Sequence, residues 1–226
     1  MSFSDWNFYS RVTEDIIPSN IDLQSANAVP LVRAGSLRIK DLGAPAIATV
    51  AALPKATLFD SKVEVGRIRT IFEKLNGSGF QDQGIFFMSS GNNPTKNNVR
   101  IYVVYYSSGS TTVRVMKYTS GLHHTTGTLL QTYTVPFSGV DEPIVIQVSF
   151  TGGLLTGFNG YTEIIVKYGS NTTNFANLVT LSPSVQDTVS PRFTGRGPGI
   201  FVRSRNPLEP LNSLIDMTEI YKEDVA

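Results

Sequence analysis

No cysteine occurs anywhere in the 226-residue chain. Disulfides, thiolate metal sites and a cysteine nucleophile are therefore excluded. Histidine is almost as scarce: the two present, His123 and His124, stand side by side in LHHTTG. Adjacent residues of an extended chain point apart. With no third His or Cys to complete a ligand set, they read as solvated loop residues and not as a metal site. Charge is thin, at 16% of residues, and balanced, with 19 Lys+Arg against 18 Asp+Glu. A net charge of +1 calls for neither nucleic acid nor an anionic membrane as partner. No apolar run approaches the roughly 20 residues of a membrane-spanning helix. The opening MSFSDWNFYSRVTEDI has no basic n-region and no apolar h-region, so it is not a signal peptide. That combination is expected of a cytoplasmic protein or of a component of a particle released by lysis. Helix signals are also few. ATVAALPKA allows one turn of helix before Pro54, and DIIPSN has the same ceiling at Pro18.

What is there is strand. From Ser36 onward the chain reads SLRIKD, AIATVAA, KVEVGRIRTIF, GIFFMSS, TLLQTYTV, PIVIQVSF, LLTGFNG, TEIIVKYG, NLVTLS, GIFVRS and SLIDMTEIYKE. Between them lie NGSG, SGNNPTKNN, SSGS, TSG, TGG and GSNTTN, the Gly/Asn/Ser chemistry of turns. Short strands at regular intervals predict an all-β sandwich or barrel in a single domain. In KVEVGRIRTIF the apolar phase slips from Val63 and Val65 to Ile68 and Phe72, which predicts a bulge near Gly66. In PIVIQVSF, Ile144, Ile146 and Val148 fall on one side, with Val145, Gln147 and Ser149 on the other.

The stretch VRIYVVYYSSGSTTVRVMKYTSG, residues 99–121, predicts a hairpin with tyrosines on both faces. Alternation puts Val99, Ile101, Val103 and Tyr105 on one face, the expected core. It puts Arg100, Tyr102, Val104 and Tyr106 on the other. An outward patch of Arg100, Tyr102, Tyr106 and Arg114, or Lys117, suits stacking on sugar rings or burial by a neighbouring subunit, since Tyr and Arg are enriched at interfaces. Cross-strand aromatic pairing alone is the plainer alternative.

Read in order, FSDWNF, AGSLRI, DQGIFFMSS, TVRVMKYTSG with TGTLLQTYTV, IVIQVSFTGGLLTGFNG, GRGPGIFVRS and SLIDMTEIYK resemble the concanavalin A-like jelly roll in its laminin-G-like or glucanase-like form. The resemblance implies two antiparallel sheets stacked face to face over residues 1–226, with first and last strands paired or adjacent. Family members that hydrolyse glycans carry Glu-x-Asp-x-x-Glu on one strand, giving a nucleophile and an acid/base. Asp141/Glu142, Asp216/Glu219 and Glu223/Asp224 do not reproduce that spacing. Asp216 and Glu219 also fall on opposite faces of a regular strand. No catalytic residue and no cofactor is assigned. Some laminin-G-like domains hold calcium, and Asp82, Asn92, Asn93 and Asp216 offer oxygen, but without a ligand spacing that defines a site. Gly195-Arg196-Gly197-Pro198-Gly199 has the glycine of a phosphate loop without its Lys-Ser ending, and reads as a turn.

Two functions follow from these expectations. The first is a non-enzymatic structural protein of a virion, a bacteriophage capsid decoration or tail-associated component. It would attach to other virion proteins or to copies of itself through apolar flanks such as AVPLV and NPLEPL. The second is a lectin-like module binding host glycan.

Overall fold

In a computed structural model of the chain, the residues described are 6–10, 21–26, 36–41, 49–54, 65–75, 79–91, 93–122, 127–136, 142–152, 160–172, 174–189, 195, 197–204 and 212–222. They form fifteen strands: β1 (Trp6–Ser10), β2 (Ile21–Ala26), β3 (Ser36–Asp41), β4 (Thr49–Pro54), β5 (Val65–Lys74), β6 (Gln81–Phe87), β7 (Ile101–Ser107), β8 (Thr112–Tyr118), β9 (Gly127–Thr134), β10 (Pro143–Thr151), β11 (Thr162–Ser170), β12 (Val179–Thr180), β13 (Val185–Asp187), β14 (Gly199–Ser204) and β15 (Asn212–Lys222). A seven-stranded sheet runs β1-β4-β14-β6-β7-β8-β9. An eight-stranded sheet runs β12-β11-β10-β5-β15-β3-β2, with β13 paired to β11. Every pairing is antiparallel.

The sheets meet through one apolar layer. Ile85, Val104 and Val113 come from the first sheet, and Ile68, Phe72, Ile146, Val148, Ile164 and Val166 from the second. Phe87 stacks on Phe150 at 4.6 Å, an aromatic contact that bridges the sheets. Ile144, Ile146 and Val148 face inward as the alternation of PIVIQVSF predicts. Burial of this layer is the main stabilising term, at about 25 cal/mol per Å² of apolar surface removed from water.

Two local expectations are corrected. Of the two readings of one stretch, the strand in AIATVAA and the turn of helix in ATVAALPKA, the strand holds: β4 lies between β1 and β14. Thr49 and Val50 are β-branched and favour extended backbone, and Pro54 stands at the strand end, where a missing N–H is tolerated. The bulge expected near Gly66 is absent from β5, which pairs with β10 without interruption from Val65 to Glu73. The register shift lies in the partner, β15, between Asp216 and Thr218. Gly66 serves packing instead, because a Cβ there would stand 2.8 Å from Cζ of Phe150. The first and last strands, β1 and β15, lie in different sheets. Both sides of β15 are occupied by β5 and β3, and β1 pairs with β4 in the other sheet.

Candidate functional site

The hairpin β7–β8 forms as expected, and its register decides what each tyrosine does. Tyr102 pairs with Lys117, Val104 with Val115 and Tyr106 with Val113. On the alternate rows Ile101 pairs with Tyr118, Val103 with Met116 and Tyr105 with Arg114. The first set faces the opposing sheet: Tyr102 is 0% and Tyr106 2% exposed, inside the inter-sheet core. Tyr106 stacks on Tyr168 at 6.0 Å, and Tyr102 on Phe87 at 5.6 Å. The face read as outward is thus the core face, and the face read as core points away from the second sheet. Arg114 belongs to that other face, opposite in direction to Tyr102 and Tyr106. Arg100 is exposed just before β7, with its backbone N–H donating to Ser90 Oγ at 2.8 Å. The four residues do not make one patch.

The face turned away from the second sheet carries its own cluster of Ala51, Phe86, Ile101, Val103, Tyr105, Tyr118, Leu122 and Phe201. At its centre Arg203 of β14 donates from Nη2 at 2.7 Å and from Nε at 3.1 Å to Oδ2 of Asp82 on β6. Both residues are buried, at 1% and 2% exposure. The guanidinium lies over three rings, 5.2 Å from Tyr105, 5.6 Å from Phe201 and 6.0 Å from Tyr118. Burial opposes the charge, but Asp82 and the Tyr118 phenol outweigh it and leave the Arg203 pKa above its ordinary value. Burial likewise pushes the Tyr105 phenol up to about 12, helped by Asp82 and Tyr118 and opposed by Arg203 and Arg114. Gly84 makes this packing possible. A Cβ there would stand 2.5 Å from Cβ of Tyr105 and 2.7 Å from Cε1 of Phe201, two rings that now meet edge to face at 6.2 Å.

Toward β8 and β9 the same face opens. Arg114 is half-buried between Tyr105 on β7 and Thr132 on β9. Its Nε is buried and has no hydrogen-bond partner among the described residues. Beside it Met116 pairs with Leu129, and Leu129 is 54% exposed. A cationic donor, a phenol, a threonine and an apolar ledge therefore sit in neighbouring rows. That mixture is chemically matched to a ligand with both an apolar face and a rim of hydroxyls.

A second buried ion pair closes the space between the sheets. Lys117 Nζ donates to Asp187 Oδ2 at 2.7 Å, and Tyr102 Oη donates to the same oxygen at 2.6 Å. Neither ion pair was foreseen from sequence. The available signal was charge inside apolar strands: a single one in QDQGIFF (Asp82) and in GIFVRS (Arg203), and Lys117 beside Arg114 in TVRVMKY. Such charges are buried only with a partner.

The other sequence candidates are placed as follows. His123 and His124, Asn92, the apolar flanks AVPLV and NPLEPL, and the Pro18 segment lie outside the described residues. Asp82 is held by Arg203, and Asn93 Oδ1 accepts from Thr95 N and Oγ1 at 3.0 and 2.7 Å. Among the described residues no group of three or more His, Asp or Glu is gathered as a metal site would require. Glu219 is ion-paired with Arg69. Gly195 packs on Ser89, where a Cβ would stand 2.0 Å from the carbonyl oxygen.

No protein-family model matches the chain, and no curated protein matches it. Solved structures do. Carbohydrate-binding module CBM66 from Bacillus subtilis superposes with a TM-score of 0.51 at 10% identity, over 94% of this chain and 95% of that one. The marine PL-14 alginate lyase from Aplysia kurodai gives 0.54 at 11% identity, over 90% and 87%. The fold is a two-sheet antiparallel jelly roll of the lectin type. At such identities the likeness establishes architecture and nothing about chemistry.

Proposed function

We propose that this domain is a non-catalytic carbohydrate-binding module, and that glycan docks on the face of the seven-stranded sheet where Arg114 sits between Tyr105 and Thr132. The observation that carries the reading is Arg114 itself: half-buried, aligned beside an exposed apolar ledge, and with a buried Nε that no described residue engages. A guanidinium placed this way donates to sugar hydroxyls or carboxylates, while Met116 and Leu129 offer the apolar surface a sugar ring's C–H face needs. The extent of the likeness to a carbohydrate-binding module, over 94% of this chain, supports this reading above the virion component expected from sequence. Neither superposition above concerns a particle.

The test is a broad glycan array probed with the folded protein and with Arg114→Ala. A hydrogen bond to a charged group contributes about 1.5–3 kcal/mol. Arg114→Ala should therefore weaken the best array ligand by roughly 10- to 150-fold with an unchanged near-ultraviolet circular dichroism spectrum. Silence across the array, or equal binding by the variant, overturns the assignment.

A further inference from the structure

The end of β9, the end of β11 and the return through β12 border a cavity of about 510 Å³. That lies within the roughly 300–1,000 Å³ of small-molecule sites. Val135, Pro136 and Leu181 line it with apolar surface, and Ser170, Thr172 and Asn177 bring hydroxyls and a carboxamide. No charged side chain is among the described lining residues. Among the described lining residues the ionisable one is Tyr168, protonated across the ordinary pH range. Burial, then Tyr106 and the nearby carboxylate of Glu142, raise its pKa. Its hydroxyl donates to Pro136 O at 3.3 Å.

The wall is a built turn. Asn171 and Asn177 both take left-handed backbone, at φ 49° and 57°, a region Asn visits more readily than most residues. Between them Asn174 Oδ1 accepts from Ala176 N at 3.0 Å, and beyond them Leu181 N donates to Val166 O at 2.9 Å. Gly169 lets this return lie flat, since a Cβ there would stand 2.8 Å from Cδ2 of Leu178 and 2.9 Å from Cγ2 of Thr172.

We infer that this cavity is a second saccharide site, one that takes an uncharged sugar ring. An apolar wall receives the ring's C–H face, the neutral polar groups meet its hydroxyls, and no described lining residue offers a counter-charge to an acidic sugar. The saccharide class rests on the proposed function, while the choice of this cavity rests on its own lining, which includes Thr134 of β9 but not Arg114.

The experiment is an amide NMR titration of the full chain with the methyl glycosides of glucose, galactose and mannose and with sucrose, beside sodium glucuronate at matched ionic strength. At least one neutral sugar should shift the amides of Ser170, Thr172, Asn177 and Leu181, and glucuronate should not. Ser170→Trp, which fills the cavity, should abolish those shifts. Asn177→Gly, which keeps the left-handed backbone and removes the carboxamide, should weaken them even if the tryptophan variant fails to fold. Arg114→Ala should leave them intact. Silence with all four neutral sugars, equal shifts with glucuronate, or full shifts in a folded Ser170→Trp protein overturns the inference. Loss of array binding on Arg114→Ala with the cavity shifts retained separates the two sites.

Discussion

Replacing Asp187 by Ala tests whether charge, and not only apolar layering, fastens the two sheets together. Asp187 ends β13, a strand of three residues in the eight-stranded sheet. Its Oδ2 receives Tyr102 Oη at 2.6 Å and Lys117 Nζ at 2.7 Å, both from the seven-stranded sheet, while Oδ1 receives Val189 N at 3.1 Å. Lys117 is 7% and Asp187 2% exposed, so the attraction is little screened by water. Removing one member of a buried ion pair strands the other charge, at a cost of about 3–5 kcal/mol. Equilibrium urea unfolding reads this directly. With a slope near the upper end of the ordinary range, about 2–3 kcal/mol/M, the midpoint of Asp187→Ala should fall by roughly 1–2.5 M. The double variant Lys117→Met with Asp187→Ala removes both charges. It should recover much of the loss, leaving mainly the lost hydrogen bond from Tyr102 Oη to the Asp187 carboxylate, worth about 1.5–3 kcal/mol. An Asp187→Ala midpoint indistinguishable from the parent's would refute the reasoning. So would a double variant as unstable as the single one.

Two further outcomes follow from the opposite face. Gly84→Ala forces a methyl group to within 2.5 Å of Val104 O and of Cβ of Tyr105; backbone on one side leaves little room to yield. A loss of at least about 1–3 kcal/mol should appear as a lowered thermal midpoint, and an unchanged midpoint would mean the sheet relaxes there. For Tyr105, the folded pKa of about 12 stands above the roughly 10 of an unfolded tyrosine. Below about pH 10 the phenol is protonated in both states, and its contribution is fully present. As pH rises toward 12 the unfolded chain loses its proton first, so stability falls, by an amount on the order of 2 kcal/mol. Tyr105→Phe should flatten that alkaline slope in urea unfolding measured across the same window, and an identical slope would show that other groups set it.

Much of the architecture was legible because strands advertise themselves locally. The period-2 alternation of PIVIQVSF, the Gly/Asn/Ser turns and the scarcity of charge all belong to short stretches of chain, and β7, β8, β10 and β11 fall where they indicate. The phase slip in KVEVGRIRTIF was misread because β5 is buried on both faces near its end. Ile71 and Phe72 are neighbours, and both are inaccessible to water. A strand covered on two sides loses the alternation that marks register. The irregularity the sequence hinted at sits one strand away, in β15, where nothing in SLIDMTEIYKE signals it.

The candidate site divides along the same line. Arg114 and the four hairpin tyrosines are marked by composition, and alternation separates Tyr102 and Tyr106 from Tyr105, but the expected patch placed Arg114 with Tyr102 and Tyr106, whereas it shares a face with Tyr105. Which set meets the second sheet was not written in the hairpin. Ile101, Val103 and Tyr105 look no less apolar than Tyr102, Val104 and Tyr106, and both sets are buried. The choice depends on partners more than 80 residues away: Asp187, whose carboxylate holds Tyr102, and Arg203, bound to Asp82 across 121 residues. Pattern and turn chemistry by themselves determined an all-β sandwich, because period and φ preference are properties of adjacent residues. The burial of Tyr102 and Tyr106, the outward turn of Arg114, and the two ion pairs were decided by tertiary structure alone. A strand's two faces are locally equivalent until another sheet covers one of them.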